Sequence, residues 1–162
     1  MKNLLLSILA LLLLASCQNE RSPKQVSEGA EMKEAVPESE KTLDVPWIAA
    51  FNDSTQLLEM RKNPVARPGN LNEQDIIDAL NLKYPQIRID SLAIEGNKAI
   101  VRIEDASYLT QEIGSAGARV YLAEATYSLT EVGEIEAVDF RFKAGDHATP
   151  GILTRRSFES FN

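Results

Sequence analysis

The chain has 162 residues, 44% of them apolar, which is room for one domain with a hydrophobic core. Its net charge of -7 argues against a nucleic-acid partner, because such binding needs Lys and Arg clustered on one face. An acidic surface also disfavours adhesion to anionic lipid headgroups, so any membrane contact must have another source.

That source stands at the start of the chain. Met1-Lys2-Asn3 gives a short positive stretch, and Leu4 to Leu14 is hydrocarbon apart from Ser7. As a helix this run reaches only about 16 Å, roughly half a bilayer core of about 30 Å, which fits a signal-peptide core rather than a stable span. Leu14-Ala15-Ser16-Cys17 follows at once and resembles the bacterial lipobox, a Leu, two small residues and Cys. Small side chains at Ala15 and Ser16 let a peptidase grip the backbone, while the Cys17 thiol accepts a diacylglycerol. Residues 1–16 are therefore expected to be a lipoprotein signal peptide, with Cys17 the lipidated first residue of the exported protein. The competing reading is an ordinary signal peptide with an incidental cysteine. Cys17 is the only cysteine, so it has no intramolecular disulfide partner. Two or three acyl chains, at about 0.8 kcal/mol per buried methylene, anchor a protein where one chain does not. Gln18 follows the cysteine. By resemblance to lipoprotein sorting, where Asp at that position favours inner-membrane retention, Gln18 points to the periplasmic side of an outer membrane if the host has one.

From Gln18 to Asp44 the sequence is rich in Glu, Lys, Ser, Gln and Pro, with Val26, Met32, Val36 and Leu43 scattered singly. Such a segment does not bury enough surface to offset its ordering entropy. Residues 17–44 thus read as the lipidated cysteine and a disordered tether. The coil estimate of about 5–6 Å times the square root of length gives it a reach of some tens of ångströms. A short helix over Glu28 to Ala35 is the alternative.

The domain is expected over residues 45–162. Pro46 to Phe51 reads as a strand, Asn52-Asp53-Ser54-Thr55 as a turn, and Gln56 to Arg61 as the return strand, with a helix competing for that last stretch. Asn63 to Asn70 is a loop by its prolines and glycine. Asn72 then caps a helix marked by Ile76, Ile77, Leu80 and Tyr84, which Pro85 stops. Ile87-Arg88-Ile89 alternates as a strand does, and Ser91-Leu92 suggests a bulge or bend before Ala93 and Ile94. Glu95-Gly96-Asn97 makes a tight turn into a strand whose Ala99, Val101 and Ile103 share a buried face.

After Ala106 the pattern loosens until Gly114-Ser115. A second helix runs to Thr130, with Ala118, Leu122, Ala125 and Leu129 as its buried stripe, Val132 as an extension, and Gly133 as its end. Glu134 to Phe142 forms the last strand, and the tail from Lys143 is less regular. Hairpins with two helices predict a small α+β domain, a mostly antiparallel sheet with both helices on one face.

Several segments in this order carry a family resemblance. They are Trp47-Ile48-Ala49-Ala50-Phe51 before a polar turn and a Leu-Leu return, and the helix Asn72 to Leu82 after a Pro-rich loop. Then come Lys98 to Tyr108, Gly114, Ala123 to Thr130 ending in Ser128-Leu129-Thr130-Glu131, and the closing strand Val138 to Phe142. As an ordered set over residues 46–150, they resemble the GerMN domain, named from spore-germination proteins and found in bacterial envelope lipoproteins. The chain departs from the family at Glu104-Asp105, where an apolar residue more often precedes Asp, and in Gly145 to Pro150, which follows the closing Gly-rich turn only loosely. The resemblance implies a small envelope domain that binds other proteins or the cell wall without catalysis. It does not identify a sporulating host.

No residue pattern assembles a catalytic, cofactor or metal site. His147 is the only histidine, so a two-His metal site is not available. Asp146-His147 near Thr149 and Ser157 suggests an acid–base pair, yet neighbours on an extended chain point to opposite sides. The same objection applies to Glu104 and Asp105 as a glycosidase pair, and the many other carboxylates read as a solvated acidic surface. Gly114-Ser115-Ala116-Gly117 lacks the lysine and spacing of a phosphate-binding loop. Trp47, Phe140 and Phe142 read as core aromatics. Candidate partner contacts are His147, Arg155 and Arg156. The sequence thus points to a lipid-anchored module for an envelope protein or peptidoglycan. A small hydrolase of peptidoglycan or glycan, using His147 with Asp146 or a carboxylate pair, is the alternative, and a small-ligand sensor would need a pocket.

Overall fold

The computed structural model describes residues 43–67, 69 and 71–161. The expected signal peptide, the lipidated Cys17 and the tether up to residue 42 lie outside the described residues. No helix of the described residues is long and apolar enough to cross a membrane.

The elements run β1 (Trp47–Asn52), β2 (Leu57–Lys62), α1 (Glu73–Lys83), β3 (Ser91–Glu95), β4 (Lys98–Arg102), α2 (Gly114–Leu129), β5 (Ala137–Arg141) and β6 (Gly151–Leu153). A π-helical turn, Tyr108–Glu112, leads into α2, and a 3-10 helix, Arg155–Phe161, follows β6. The α+β class is as expected. The strands, however, form two sheets, the hairpin β1–β2 and a four-stranded sheet in the order β3-β4-β5-β6. Every pairing is antiparallel except β4 with β5. That parallel pair is possible because the π-turn and α2 lie between the two strands, a long crossover that no tight turn replaces.

Asn72 caps α1 through a reciprocal capping box. Its Oδ1 accepts from the Asp75 amide at 3.0 Å, and Asp75 Oδ2 accepts from the Asn72 amide at 2.7 Å. Ile76, Ile77, Ala79 and Leu80 give α1 its buried face.

Two strand boundaries differ from expectation. Ile87 and Ile89 are buried in alternation, but β3 begins only at Ser91 and takes in the expected bend. Asn81 on α1 stands in for a partner strand there, accepting from the Ile89 amide at 2.8 Å and donating to its carbonyl at 3.1 Å. The extended backbone is satisfied by a side chain, so its periodicity imitates a strand. At the other end, β5 spans only Ala137–Arg141, because the Glu136 amide donates instead to the Asn97 carbonyl in the β3–β4 turn. The tail beyond Lys143, expected to be irregular, adds β6 to the sheet.

α2 is the centre of the domain. Tyr121 through Leu129 are buried without interruption, so the helix is covered all round and not along one stripe. The expected stripe of Ala118, Leu122, Ala125 and Leu129 is buried, and Glu124, Thr126 and Ser128 are buried with it. Two of these polar residues seat the hairpin. By the pairing register, the amides of Trp47 and Ala49 point away from β2. The Trp47 amide donates to Ser128 Oγ at 3.3 Å and the Ala49 amide donates to Glu124 Oε1 at 2.9 Å. Two residues along a strand advance about 6.8 Å and four along a helix about 6 Å, so the two rungs match. Glu124 Oε2 accepts from Lys83 Nζ at 2.5 Å and from the Tyr84 hydroxyl at 2.6 Å, tying α1 to the same carboxylate. Burial and the Glu124 carboxylate push the Tyr84 phenol far above its ordinary range, so it stays a donor.

Glu124→Ala is expected to cost about 3–5 kcal/mol of unfolding free energy, because three donors lose their acceptor inside the domain. Thr126→Val removes a buried hydroxyl that has no hydrogen-bond partner, and is expected to be neutral or stabilising. Urea unfolding of both variants checks the contrast; equal losses would contradict this account of α2.

Candidate functional site

Three polar centres lie outside the α2 ladder. The first surrounds Glu131, just past the end of α2. Its carboxylate accepts from Lys62 Nζ at 2.8 Å, Trp47 Nε1 at 2.9 Å and Arg155 Nη2 at 3.0 Å. Arg155 also donates through Nε to Thr130 Oγ1 at 2.8 Å and through Nη2 to the Tyr127 carbonyl at 3.1 Å. Its guanidinium lies 5.0 Å from the Trp47 ring centre and 5.1 Å from that of Tyr127. A cation at the C-terminal end of α2 meets the carbonyls that the helix leaves unpaired. Arg155, expected as a partner contact, is thus engaged inside the domain, joining the tail to α2 and the hairpin. Arg156 beside it is exposed and borders a shallow depression with Ile135, Glu136 and Thr154. Partial burial pushes the Glu131 carboxyl up, but hydrogen bonds from Lys62, Trp47 and Arg155 outweigh that and hold it at about 2.

The second centre is His147. The structure pairs it not with Asp146, Thr149 or Ser157 but with Ser115 at the start of α2, whose Oγ is 3.1 Å from His147 Nδ1. Ser157 instead caps the 3-10 helix, accepting from the Thr154 amide at 3.1 Å. The His147 amide donates to the Thr110 carbonyl at 3.0 Å, which pins the loop on the π-turn. Gly145 permits that approach, since a Cβ there would lie 2.7 Å from Thr110 Cβ. A working nucleophile–base pair needs a third group to orient the imidazole. Among the described residues no side chain bonds the other ring nitrogen of His147. The neighbouring Gly114, at φ +77°, follows directly on the π-turn, whose Tyr108 carbonyl accepts from the Ile113 amide at 2.9 Å. Gly114 to Gly117 is therefore a junction between two helices and not an open phosphate cradle.

Among the described residues, Glu104 and Asp139 line one depression, and two other carboxylates bond the backbone. Asp90 accepts from the Glu104 amide at 2.7 Å, and Asp105 accepts from the Ser107 amide at 3.0 Å and its hydroxyl at 2.6 Å, so both shape the chain after β4. Among the described residues no group of three or more His, Cys, Asp or Glu is arranged to hold a metal ion.

The third centre is an open depression of about 570 Å³ where β4 and β5 end. The two parallel strands run out side by side, the Ile103 amide still donating to the Arg141 carbonyl at 3.0 Å, and Glu104, Phe142 and Lys143 continue the lining beyond them. Arg102 closes β4 and Arg141 closes β5, in register with each other and both exposed. Arg141 donates to Asp139 Oδ2 at 3.0 Å through Nη2 and at 3.2 Å through Nε. Lys143 follows on the same loop and is exposed. Among the described residues, the charged groups of Arg102 and Lys143 have no partner. Glu104 and Asp139 supply acceptors to the wall, and half-buried Phe142, Pro150 and Gly151 complete it. Sequence reasoning missed this site because its cations are scattered from residue 102 to 143 and meet only through the parallel pairing. Phe140 is in the core and Phe142 packs half-buried against it, as expected, and both border the depression.

No family model and no curated protein matches the chain. Among solved structures, the tandem GerMN domains of the sporulation protein GerM from Bacillus subtilis are similar to it, at 13% identity and a TM-score of 0.40. The similarity covers 70% of this chain and 46% of that one, so the chain spans about half the length of the solved structure.

The depressed acidity of Glu131 has a defined consequence for stability. Its folded-state value of about 2 lies below the ordinary 4.5, so its contribution is complete above 4.5 and is lost as pH falls towards 2. Glu131→Gln is expected to melt below the wild type at about pH 7, with the gap closing by about pH 2. Thermal melts across that range check it; a gap that does not change with pH would contradict the role given to the carboxylate.

Proposed function

We propose that this chain is a lipid-anchored lipoprotein of the cell envelope whose domain binds or scaffolds an envelope partner, protein or peptidoglycan, without catalysis. The short apolar leader and Leu14-Ala15-Ser16-Cys17 support export and lipidation of Cys17. Gln18 supports placement on the periplasmic side of an outer membrane where the host has one. The resemblance of residues 46–150 to the GerMN domain supports a binding role. The observation that carries the reading is how the ionisable groups are divided. Glu124, Lys83, Glu131 and Arg155 hold hairpin, helices and tail together, while Arg102 and Lys143 face an open crevice.

The competing reading, a small hydrolase of peptidoglycan or glycan, takes its support from the contact between Ser115 and His147. Both readings are tested by co-sedimenting the full-length protein, purified in detergent, with isolated peptidoglycan sacculi and analysing any released fragments. Saturable pelleting without fragments is the expected result. Fragments whose release stops in His147→Ala would favour the hydrolase. The absence of saturable binding to sacculi and to cross-linked envelope proteins alike would overturn the binding reading.

Lipidation has its own test. Cells fed labelled palmitate are expected to label the wild-type chain, and Cys17→Ser is expected to lose the label and leave the membrane fraction. Label retained in Cys17→Ser would contradict the anchor.

A further inference from the structure

The crevice at the ends of β4 and β5 is locally cationic in an acidic chain. In a chain of net charge -7, its lining carries Arg102, Arg141 and Lys143 against Glu104 and Asp139. Arg102 and Arg141 are register partners on adjacent strands. Strands lie about 4.8 Å apart, and like charges directly opposite each other destabilise a sheet. Asp139 offsets the charge on Arg141 through two hydrogen bonds, but Arg102 has no hydrogen-bonded or ion-paired partner among the described residues. Lys143 adds a further cation at the mouth. The arrangement is therefore short of one anion.

The lining also says what kind of anion. A phosphate polymer would bring several negative charges against Glu104 and Asp139, which face the same space. A carboxylate on a peptide brings one, together with amide or amino donors that those two acids accept. Arginine is suited to that partner, because its planar fork matches a carboxylate bidentately. Phe142 and Pro150 provide an apolar wall for short side chains such as those of alanine. A crevice of about 570 Å³ is of the size that holds a few residues.

We infer that this crevice binds the carboxylate end of a short peptide, with Arg102 and Lys143 holding the carboxylate and Glu104 and Asp139 receiving its N–H donors. The inference rests on the envelope-binding reading and deepens it. Two sources in an envelope share this chemistry, the stem peptide of peptidoglycan and the C-terminus of a protein.

The test is a nitrogen-15 NMR titration of the full-length protein in detergent micelles. The probes are a wall stem tetrapeptide, an ordinary linear tetrapeptide with a free C-terminal carboxylate, and the fully amidated form of each. Saturable shifts confined to residues 102–104, 139–143 and 150–151 are expected with the free acids and not with the amides. Arg102→Gln/Lys143→Gln is expected to bind roughly tenfold or more weakly, from the loss of charge-assisted hydrogen bonds, with its spectrum otherwise unchanged. Arg67→Gln, exposed and outside the crevice, is expected to bind as the wild type does. Tighter binding of the stem peptide assigns the wall as the source, and tighter binding of the linear peptide assigns a protein terminus. Equal binding of acids and amides, shifts elsewhere, no saturation, or full affinity in the double variant would overturn the site. If the site fails while the wild type still pellets with sacculi, the envelope-binding reading stands without it. If peptides bind here but no envelope partner is found, that reading fails and the site stands.

Discussion

The edge of a β-hairpin carries amides that point to nothing, and an isolated two-stranded hairpin is marginal in water. This domain meets both problems with one helix. Ser128 and Glu124, one turn apart on α2, accept the outward amides of Trp47 and Ala49, so a helix takes the place of a third strand. The match depends on the near equality of two strand residues and four helix residues in length. One further step along α2 is Val120, whose side chain has no acceptor to offer an amide. A carboxylate buried in this way needs several donors, and α1 supplies the remainder through Lys83 and Tyr84.

Other features follow from holding α2 at the centre. Its C-terminal carbonyls and Glu131 draw in Arg155, which fixes the tail after β6. Its position between β4 and β5 makes those strands parallel. Parallel strands end side by side, which brings Arg102 and Arg141 together on the wall of the crevice. The scaffold thus uses most of its buried charge on itself, and two of the cations left unpaired among the described residues, Arg102 and Lys143, meet at the crevice.

Much of this was legible in sequence and some of it was not, for identifiable reasons. The hairpin, the capped start of α1 and the end of α2 were marked by local chemistry: the polar turn after Phe51, the Asn72–Asp75 pair, and Gly133. Ile87 and Ile89 imitated a strand because the Asn81 side chain bonds the Ile89 backbone as a strand would, while the Ile87 amide donates to the Tyr84 carbonyl. The burial of Glu124, Thr126 and Ser128 was not marked, because periodicity reads polarity and a buried carboxylate has the same letter as an exposed one. The partner of His147 lies thirty-two residues away at Ser115, a contact set by the fold of the loop on Thr110. The crevice was invisible for a related reason: a parallel register depends on the crossover, and nothing local in Arg102 or Arg141 records it.

The seating of the hairpin on α2 can be examined directly by native-state hydrogen exchange. Trp47 and Ala49 lie on the edge strand β1, and their amides should nonetheless exchange only on global unfolding, in step with the core of α2. The Phe51 amide, on the same edge but beyond the last rung, should exchange much faster. If all three exchanged at the rate of an open edge, the side-chain ladder would not be what holds the hairpin, and the account of the fold built on α2 would be wrong.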